Sequence, residues 1–395
     1  MKDTNMRFRM LKRMHKQNIK LVMKLLIKYL QLIMIQLIGI SCQFSNKQIE
    51  KTIIGEWTFA YRENKNNDVP IPLPPLADGN QKQGFIFYKN SICENKLGYF
   101  KRENEKLLFL GTKTKYKFEN DSLEIFNLTD STWVNNRIYS LNSDTLTLIE
   151  SDNSLVKYAK VNYNINEKCI FDKIIVSSSG CFGTCPVSDI CIEKQGNVFF
   201  SGQYHNAING LYTSKISFEK YTEFELNFKK ANIENLKNYY RANWTDDETI
   251  TVTFIKGNKI VKTISDYGRQ APTEFYWAYM PVRYCYQQLG LVSYSDSVKL
   301  PLFIYRFEQA NSVYELAKSE GFFLLMELYN GKLVQQNFVK KYLVECKNDN
   351  GEMVKLVTDG RFYRYEQQID NKSIDIGYDF ITTNNFEKRE KDEID

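Results

Sequence analysis

Four cysteines, Cys169, Cys181, Cys185 and Cys191, lie within 23 residues of one another and are the side chains best suited to chemistry. In a chain exported from the cytoplasm, such a cluster first indicates disulfide bonding. Cys181 and Cys185 are four positions apart with Gly183 between them, so the chain can fold back and bring the two sulfurs together. We therefore predict a Cys181–Cys185 disulfide that fixes a local turn, and leave the pairing of the other cysteines open.

Three alternatives use these thiols for other chemistry. A redox centre on Cys181 and Cys185 would normally have Cys-x-x-Cys at the start of a helix, whereas here the spacing is one residue longer and a strand is predicted next. A four-cysteine zinc site lacks its two close-spaced pairs. A nucleophilic cysteine needs a base, and only His205 is available after the N-terminal segment. We favour the structural disulfide and keep thiol-disulfide redox activity as the enzyme alternative.

The small number of histidines excludes further kinds of catalytic and metal-binding site. Because His205 is the single histidine after residue 41, no site that needs two imidazoles can form there. His205 lies in a polar stretch, which predicts a solvated surface residue. The sequence also has no glycine-rich phosphate-binding loop. We expect Cys93, Cys285 and Cys346 to be small buried apolar residues. The sequence therefore predicts no catalytic residue, no metal site and no cofactor.

The segment from Met23 to Cys42, MKLLIKYLQLIMIQLIGISC, has a positive start, an apolar run of 12 residues and small or apolar residues before its cysteine. A membrane-spanning helix needs about 20 apolar residues, so a removed leader explains the run better. The layout resembles bacterial lipoprotein signals, which implies lipidation of Cys42. We expect residues 1–41 to be a signal segment with translation starting at Met23, with simple secretory cleavage as the alternative.

Removing residues 1–41 changes the charge of the chain. The whole chain has 53 basic and 47 acidic residues, of which the leader holds nine and one, so 44 and 46 remain and the net charge becomes −2. This balance argues against a nucleic-acid partner. No acidic run follows Cys42 to indicate surface export. We expect a lipid-anchored protein of the cell envelope, at the outer membrane and facing the periplasm, whose anchor binds the membrane.

The remaining residues predict an α+β fold that is mostly antiparallel β. The chain has 26 Tyr and 26 Phe together with many Ile, Thr and Val, which favours strands. About 350 residues are too many for one compact core. We predict a lipidated tether over 42–51, a β-barrel over 52–161, two smaller α+β domains over 165–294 and 298–381, and a disordered tail over 382–395.

Residues 52–161 show short strands at the spacing of an antiparallel meander, which closes most easily into a small barrel. Gly55–Trp57, Tyr116–Phe118 and Asp144–Leu148 resemble the lipocalin-like domains of bacterial lipoproteins. In that family the Gly-x-Trp tryptophan closes the base of the barrel, which implies a packing role for Trp57. Such a barrel is either filled by its own side chains, which we favour, or carries an apolar ligand, which is an alternative function.

The string Cys-Phe-Gly-Thr-Cys-Pro over Cys181–Pro186 is followed by a strand, Gly196 and the triplet Phe200–Gly202. It resembles an uncharacterised family of bacterial lipoprotein domains marked by this string, although Ser188 stands where tyrosine is usual. The family has no established activity, so the resemblance implies a domain and not a mechanism. We interpret the chain as a binding protein, for a protein or a small ligand, in which this turn is a structural clamp.

Helical periodicity appears in both α+β domains. In the first, it predicts helices over Ser217–Lys229 and Asn232–Asn243 and a third that begins at Pro272. In the second, it predicts a helix from about Ser319, as its N-cap, to Asn330. Gly331 is expected to end that helix in the left-handed conformation.

Overall fold

The structure is a computed structural model, and it describes residues 49–63, 82–104, 106–294, 300–348, 350–368 and 371–389. Cys42, the leader and most of the predicted tether lie outside the described residues, as do residues 390–395. Within the described ranges, no helix is both long and apolar enough to cross a membrane. The α+β class with mostly antiparallel strands is confirmed.

The elements follow one another as a run of strands, then strands mixed with helices. The strands are β1 (Gly55–Glu63), β2 (Gly84–Phe87), β3 (Ile92–Glu103), β4 (Lys106–Glu119), β5 (Ser122–Asn127), β6 (Thr132–Leu141), β7 (Thr145–Ile149), β8 (Leu155–Lys160), β9 (Lys173–Ser178), β10 (Val187–Glu193), β11 (Asn197–Tyr204), β12 (Gly210–Lys215), β13 (Tyr239–Arg241), β14 (Thr249–Lys256), β15 (Lys259–Tyr267), β16 (Val292–Ser293), β17 (Phe303–Gln309), β18 (Ser312–Glu315), β19 (Lys332–Gln335), β20 (Tyr342–Lys347), β21 (Met353–Thr358), β22 (Phe362–Tyr365) and β23 (Lys372–Asp375). The helices are α1 (Phe218–Lys230), α2 (Thr273–Tyr284), α3 (Lys318–Asn330) and α4 (Phe380–Thr383), with a helical turn over 49–53 and 3-10 turns over Ile233–Asn235, Cys285–Gln288 and Phe386–Lys388.

Strands β1 to β8 form the predicted barrel. Each strand pairs with its neighbour in sequence, and β1 closes the barrel by pairing with β8. Trp57 is fully buried in the barrel core, and its indole Nε1 donates a hydrogen bond to the carbonyl of Ile53 at 2.7 Å. Trp57 therefore packs one end of the barrel, as the resemblance implies.

The second sheet, called the middle sheet here, has the strand order β13-β15-β14-β9-β10-β11-β12-β16. Helices α1 and α2 cover one of its faces. The rings of Phe228 in α1 and Phe254 in β14 lie 4.9 Å apart, and Phe275 in α2 adds a third ring 6.1 Å from Phe228. This face forms a continuous apolar core, which is why both helices pack there.

The third sheet has the order β18-β17-β20-β21-β22-β23-β19 and, together with the middle sheet, encloses α3. Phe323 of α3 is fully buried, in one apolar cluster with Phe307 of this sheet and with Ile175 and Ile255 of the middle sheet. Helix α3 therefore joins the two sheets through a shared core, and covers the face of the middle sheet that α1 and α2 leave open.

The barrel also docks on the middle sheet's helices. Glu56 of β1 forms ion pairs with Lys96 of β3 at 2.9 Å and with Lys230 of α1 at 2.7 Å. Burial alone would raise the pKa of Glu56, but the two lysines hold it below its ordinary value. Trp277 of α2 donates from Nε1 to the carbonyl of Lys82 at 2.7 Å. Charged and aromatic side chains thus fix the barrel to α1 and α2.

The helices over Ser217–Lys229 and at Pro272 are confirmed as α1 and α2, but the predicted helix over Asn232–Asn243 is wrong. Asn232 adopts a left-handed conformation with φ 53°, and a 3-10 turn leads into β13, which pairs in parallel with β15. Tyr239 and Tyr240 suit a pleated strand, whose neighbour supplies the hydrogen bonds that a helix would make internally.

The helix predicted from about Ser319 to Asn330 forms as α3 and ends at Asn330, but its predicted N-cap and the predicted conformation of Gly331 are wrong. Its N-cap is Ala317, and Ser319 is buried inside the first turn. Gly331 is extended, with φ −68°, and not left-handed. A Cβ at Gly331 would lie 2.4 Å from the Cγ2 of Ile374, so close packing and not backbone conformation requires glycine there.

The predicted disordered tail is in part folded. Residues 382–389 include the end of α4 and a 3-10 turn, and Phe386 is fully buried. The guanidinium of Arg389 lies 4.1 Å from the Phe386 ring centroid and donates from Nη1 to Glu320 at 2.8 Å. The prediction of disorder rests on the charged composition of this segment, which does not show that Phe386 is buried or that Arg389 pairs with Glu320.

Candidate functional site

The predicted disulfide is present in the turn between β9 and β10. Cys181 and Cys185 are bonded, with their Cα atoms 5.6 Å apart. Both cysteines are half-buried, whereas Phe182 at the tip of the turn is 89% exposed. The turn therefore presents an aromatic ring to solvent from a covalently closed base.

Hydrogen bonds hold the base of the disulfide turn (Cys181–Pro186). The carbonyl of Pro186 accepts from Ser178 Oγ at 2.7 Å and from Arg283 Nη2 at 3.1 Å. One residue later, the carbonyl of Val187 accepts from Asn206 Nδ2 at 2.7 Å. Since each donor is a buried side chain from another part of the middle sheet or from α2, the turn is positioned by tertiary contacts as well as by its disulfide.

Arg283 connects the turn to a buried carboxylate. Its guanidinium makes two bonds to Glu248, at 2.8 and 2.6 Å, and both side chains are at most 5% exposed. Burial would raise the pKa of Glu248, but Arg283 and then Arg269 hold it below its ordinary value of 4.5. The pair fixes the orientation of Arg283 toward Pro186.

The surroundings of the turn bear on the redox alternative. The element after Cys185 is strand β10 and not a helix, so the turn does not place its sulfurs at the start of a following helix, where a thiolate would be stabilised. His205 is exposed in the loop after β11. This geometry suits a structural clamp better than an oxidoreductase centre.

The other described cysteines are free and buried. Burial raises the pKa of Cys93 and Cys285 to about 12 and that of Cys169 to about 11, and it also raises the pKa of Cys191 and Cys346. They belong to the apolar clusters, so they behave as small apolar side chains. Cys169 and Cys191 lie in different clusters, on opposite sides of the middle sheet. Across the described ranges, His, Cys, Asp and Glu form no group of three that could hold a metal ion.

The face of the middle sheet turned toward α3 carries a row of polar side chains, called the polar row here. Directly paired residues of six neighbouring strands make up this row: Tyr239, Ser265, Thr251, Ser177, Asp189 and Ser201. Four of the six, from Thr251 to Ser201 across the sheet, are buried. A covered sheet face is usually apolar, so this row is an exception within the fold.

The first turn of α3 is docked on the polar row by hydrogen bonds. Lys318 Nζ lies 2.8 Å from Asp189, whose second oxygen accepts from Gln203 at 2.7 Å. Burial lowers the pKa of Lys318, and Asp189 opposes part of that change. The hydroxyl of Ser319 contacts that of Thr253 at 2.7 Å. These contacts hold the first turn of α3 against the polar face.

Two cavities open on either side of this first turn. The larger, about 600 Å³, lies over β13, β14 and β15 and is called the sheet-face cavity here. The smaller, about 320 Å³, lies between β17 and the residues that flank the disulfide turn, Gly180 and Val187, and is lined mainly by apolar residues, with Lys318 and Asp189 at its wall. The C-terminal region and the chain on both sides of the turn therefore share a cavity wall.

A third cavity, the barrel cup, lies inside the barrel and has a volume of about 410 Å³. The opposite part of the lumen is filled, since the rings of Phe87 and Tyr116 pack 5.1 Å apart near Trp57. Ile125, Leu148 and Tyr158 form the buried wall of the cup, together with half-buried amide side chains. The barrel is thus filled at one part and open at another, rather than filled throughout as we expected.

The sequence reasoning found the two disulfide cysteines but missed the groups that surround them. Arg283 was missed because it lies in a helix whose aromatic residues indicate only a core role. Lys318 was missed because it directly precedes Ser319, which was expected to be the N-cap of α3. The one available signal was the alternation of threonine with apolar residues along β14, at Thr249, Thr251 and Thr253, which marks a sheet face that is polar. Cys42, the predicted lipidation site, lies outside the described residues.

Comparison with known proteins covers only the middle of the chain. Residues 172–286 match the model of a family described as a domain of unknown function (DUF6438). This range includes the disulfide turn and runs from β9 to the end of α2. No curated protein and no solved structure matches the chain. The middle of the chain is therefore similar to a family for which no activity is named.

Proposed function

We propose that this chain is a lipoprotein of the cell envelope, attached to a membrane through Cys42, whose barrel binds a small amphiphilic ligand without catalysing a reaction. The barrel cup is the observation that carries this proposal. Its volume of about 410 Å³ lies within the roughly 300–1,000 Å³ typical of ligand pockets. The anchor is supported by the leader-like sequence that ends at Cys42.

Strand β6 explains why the cup is open. Its residues Val134 and Asn136 pair with Ile125 and Leu123 of β5, which point into the barrel. Paired residues share a face of the sheet, so Val134 and Asn136 also point inward. Val134 is nevertheless 42% exposed. An inward side chain with that exposure marks a lumen that solvent, and therefore a ligand, can enter.

The lining of the cup supports an amphiphile over a purely apolar ligand. Ile125, Leu148 and Tyr158 supply buried apolar surface. Asn95, Asn127 and Asn136 supply half-buried amides that can donate to and accept from a polar group. A ligand with an apolar body and an uncharged hydrogen-bonding group matches both sets.

Binding of N-phenyl-1-naphthylamine to the full chain, followed by its fluorescence, tests the barrel. Asn136→Phe places a ring inside the cup, and we expect it to weaken binding at least tenfold. Asn135→Phe is the matched control, because Asn135 pairs with Glu124 on the outer face of the same strand. We expect the control to bind within about twofold of the parent chain.

Equal affinities for the Asn136→Phe and Asn135→Phe chains, with both variants folded by circular dichroism, would show that the probe does not use the cup. The anchor is tested separately by mass spectrometry of the N-terminal peptide from the native membrane fraction. A lipid-modified Cys42 supports the proposal, whereas an intact leader or an unmodified Cys42 contradicts it.

A further inference from the structure

We propose that the sheet-face cavity is a second binding site, and that its ligand is a small acidic sugar. This site is separate from the barrel cup and does not depend on the function proposed for the barrel. The proposal rests on three observations: the part of the polar row that lines the cavity, an unbalanced positive charge, and an aromatic ring beside hydroxyl groups at the cavity wall.

The polar row indicates a polar ligand. Burying hydroxyl groups lowers stability unless each finds a hydrogen-bond partner. Three members of the row, Tyr239, Ser265 and Thr251, line the sheet-face cavity. The opposite face of the same strands is apolar and well packed. The end of the row at the cavity wall therefore offers hydroxyl groups to a polar ligand, whereas Asp189 and Ser201 are bonded within the fold.

The charges around the cavity favour an anion. Each carboxylate at its wall already faces an arginine: Glu320 accepts from Arg389 at 2.8 Å, and Glu315 lies 3.5 Å from Arg306. Arg241 also lines the cavity, is exposed, and makes no ion pair within the described part of the chain. Its guanidinium can therefore receive a carboxylate in two parallel hydrogen bonds.

The remaining wall suits a hydroxylated ring. Tyr239 lines the cavity and is 42% exposed, which leaves ring surface for a ligand to cover. Ser265 is its direct cross-strand neighbour, and Thr251 is the next residue of the polar row. Thr251 accepts a bond from the backbone of Ser319 at 3.1 Å, so its own proton remains available to a ligand oxygen. Together these groups match a sugar ring that carries one carboxylate.

Binding of D-glucuronate, D-glucose and acetate to the full chain, measured by ligand-observed NMR titration, tests the site. Glucuronate has both the ring and the anion, whereas glucose and acetate have one each. We expect glucuronate to bind at least tenfold more tightly than either. Arg241→Gln should remove most of this advantage over glucose, and Tyr239→Ala should weaken both sugars.

Two residues on the outer wall of the barrel provide matched controls. Arg137→Gln removes the same charge as Arg241→Gln, and Tyr139→Ala removes a tyrosine ring that is also exposed, at 65% against 42% for Tyr239, so neither should change glucuronate binding. Asn136→Phe, which fills the barrel cup, should also leave it unchanged. The proposal is overturned if glucuronate binds no more tightly than glucose and acetate, or if Arg241→Gln behaves like Arg137→Gln.

Discussion

The barrel and the middle sheet each use eight strands, yet they create internal space in opposite ways. The barrel closes on itself and packs aromatic rings in one part of its lumen. The inward-pointing side chains of β6 are too small to fill the rest of the lumen. The middle sheet stays open, and its cavities form where the first turn of α3 covers a polar face. The pocket of the closed sheet thus exists because its inward side chains do not fill the lumen. The cavities of the open sheet exist because a helix covers a face of polar side chains.

This difference predicts which mutations and which pH changes lower the stability of each region. The barrel interior around Trp57 depends on side-chain volume, so the cost of truncating a side chain there should vary little with pH, whereas the Glu56–Lys96 pair lies where the barrel contacts α1. The middle sheet depends on buried ion pairs, among them Arg283–Glu248 and Lys318–Asp189. Its stability should respond to the loss of one charge and change with pH.

Trp57→Ala tests the barrel side and should have the largest effect. Trp57 is fully buried and its indole donates to Ile53, so the variant loses packing and leaves a carbonyl without its donor. We expect the free energy of unfolding to fall by about 3–5 kcal/mol, measured by urea denaturation followed by circular dichroism. The loss should be similar at pH 4 and pH 7.

Trp133→Ala is the control for this truncation, because Trp133 is on the outer wall of β6 and is 42% exposed. We expect a change of about 1 kcal/mol or less, because the contacts of Trp133 with Phe126 and Lys117 lie on the exposed outer face. If Trp57→Ala costs no more than Trp133→Ala, the barrel core is not held by packing around Trp57 and the comparison is wrong.

Arg283→Leu tests the middle sheet. Removing one partner of a buried ion pair leaves Glu248 uncompensated, and the cost should be about 3 kcal/mol at pH 7. We place it at the low end of the usual range because Arg269 lies 3.6 Å from Glu248 and can compensate part of the charge. The same denaturation experiment measures it.

The pH dependence of this loss has a definite sign. The pKa of Glu248 in the folded chain is below 4.5, so the carboxylate stabilises the fold above pH 4.5 and this contribution disappears as the pH falls through the folded pKa. The parent chain and Arg283→Leu should therefore converge in stability below pH 4.5. A cost that stays constant down to pH 3 would mean that Arg283 acts through packing alone.

The sequence predicts contacts between residues that are close along the chain better than contacts between residues that are far apart. The barrel follows from local patterns, because its strands pair with their neighbours and short connections join consecutive strands from β2 to β8. The Cys181–Cys185 bond is equally local, with a separation of four residues. Both are confirmed.

The ion pairs of the middle sheet follow from contacts between distant residues. Arg283 and Glu248 are 35 positions apart, and Lys318 and Asp189 are 129 positions apart. No local pattern marks them, because each charged residue looks like a surface residue until its partner is known. The wrong helix over Asn232–Asn243 has the same origin, since its tyrosines join a strand only because β15 lies beside them.

The disulfide gives the smallest expected effect. A bond that closes so short a loop restricts the unfolded chain little, and the loop-entropy relation gives about 2 kcal/mol. In Cys181→Ser/Cys185→Ser, the hydrogen bonds of Ser178, Arg283 and Asn206 to the base of the turn remain. We therefore expect a loss of about 2 kcal/mol or less, with the pH dependence of the Arg283–Glu248 pair unchanged.

Free-thiol counting on the full chain, with and without dithiothreitol at low concentration, separates the clamp from the redox alternative. A clamp should resist mild reductant, because the fixed base of the turn keeps the two sulfurs together after reduction and favours re-formation of the bond. An easily reduced, oxidising bond would instead support thiol-disulfide activity at Cys181 and Cys185. It would also mean that the middle sheet uses its buried charges to position reactive sulfurs, and the contrast with the barrel would then be one of chemistry as well as of packing.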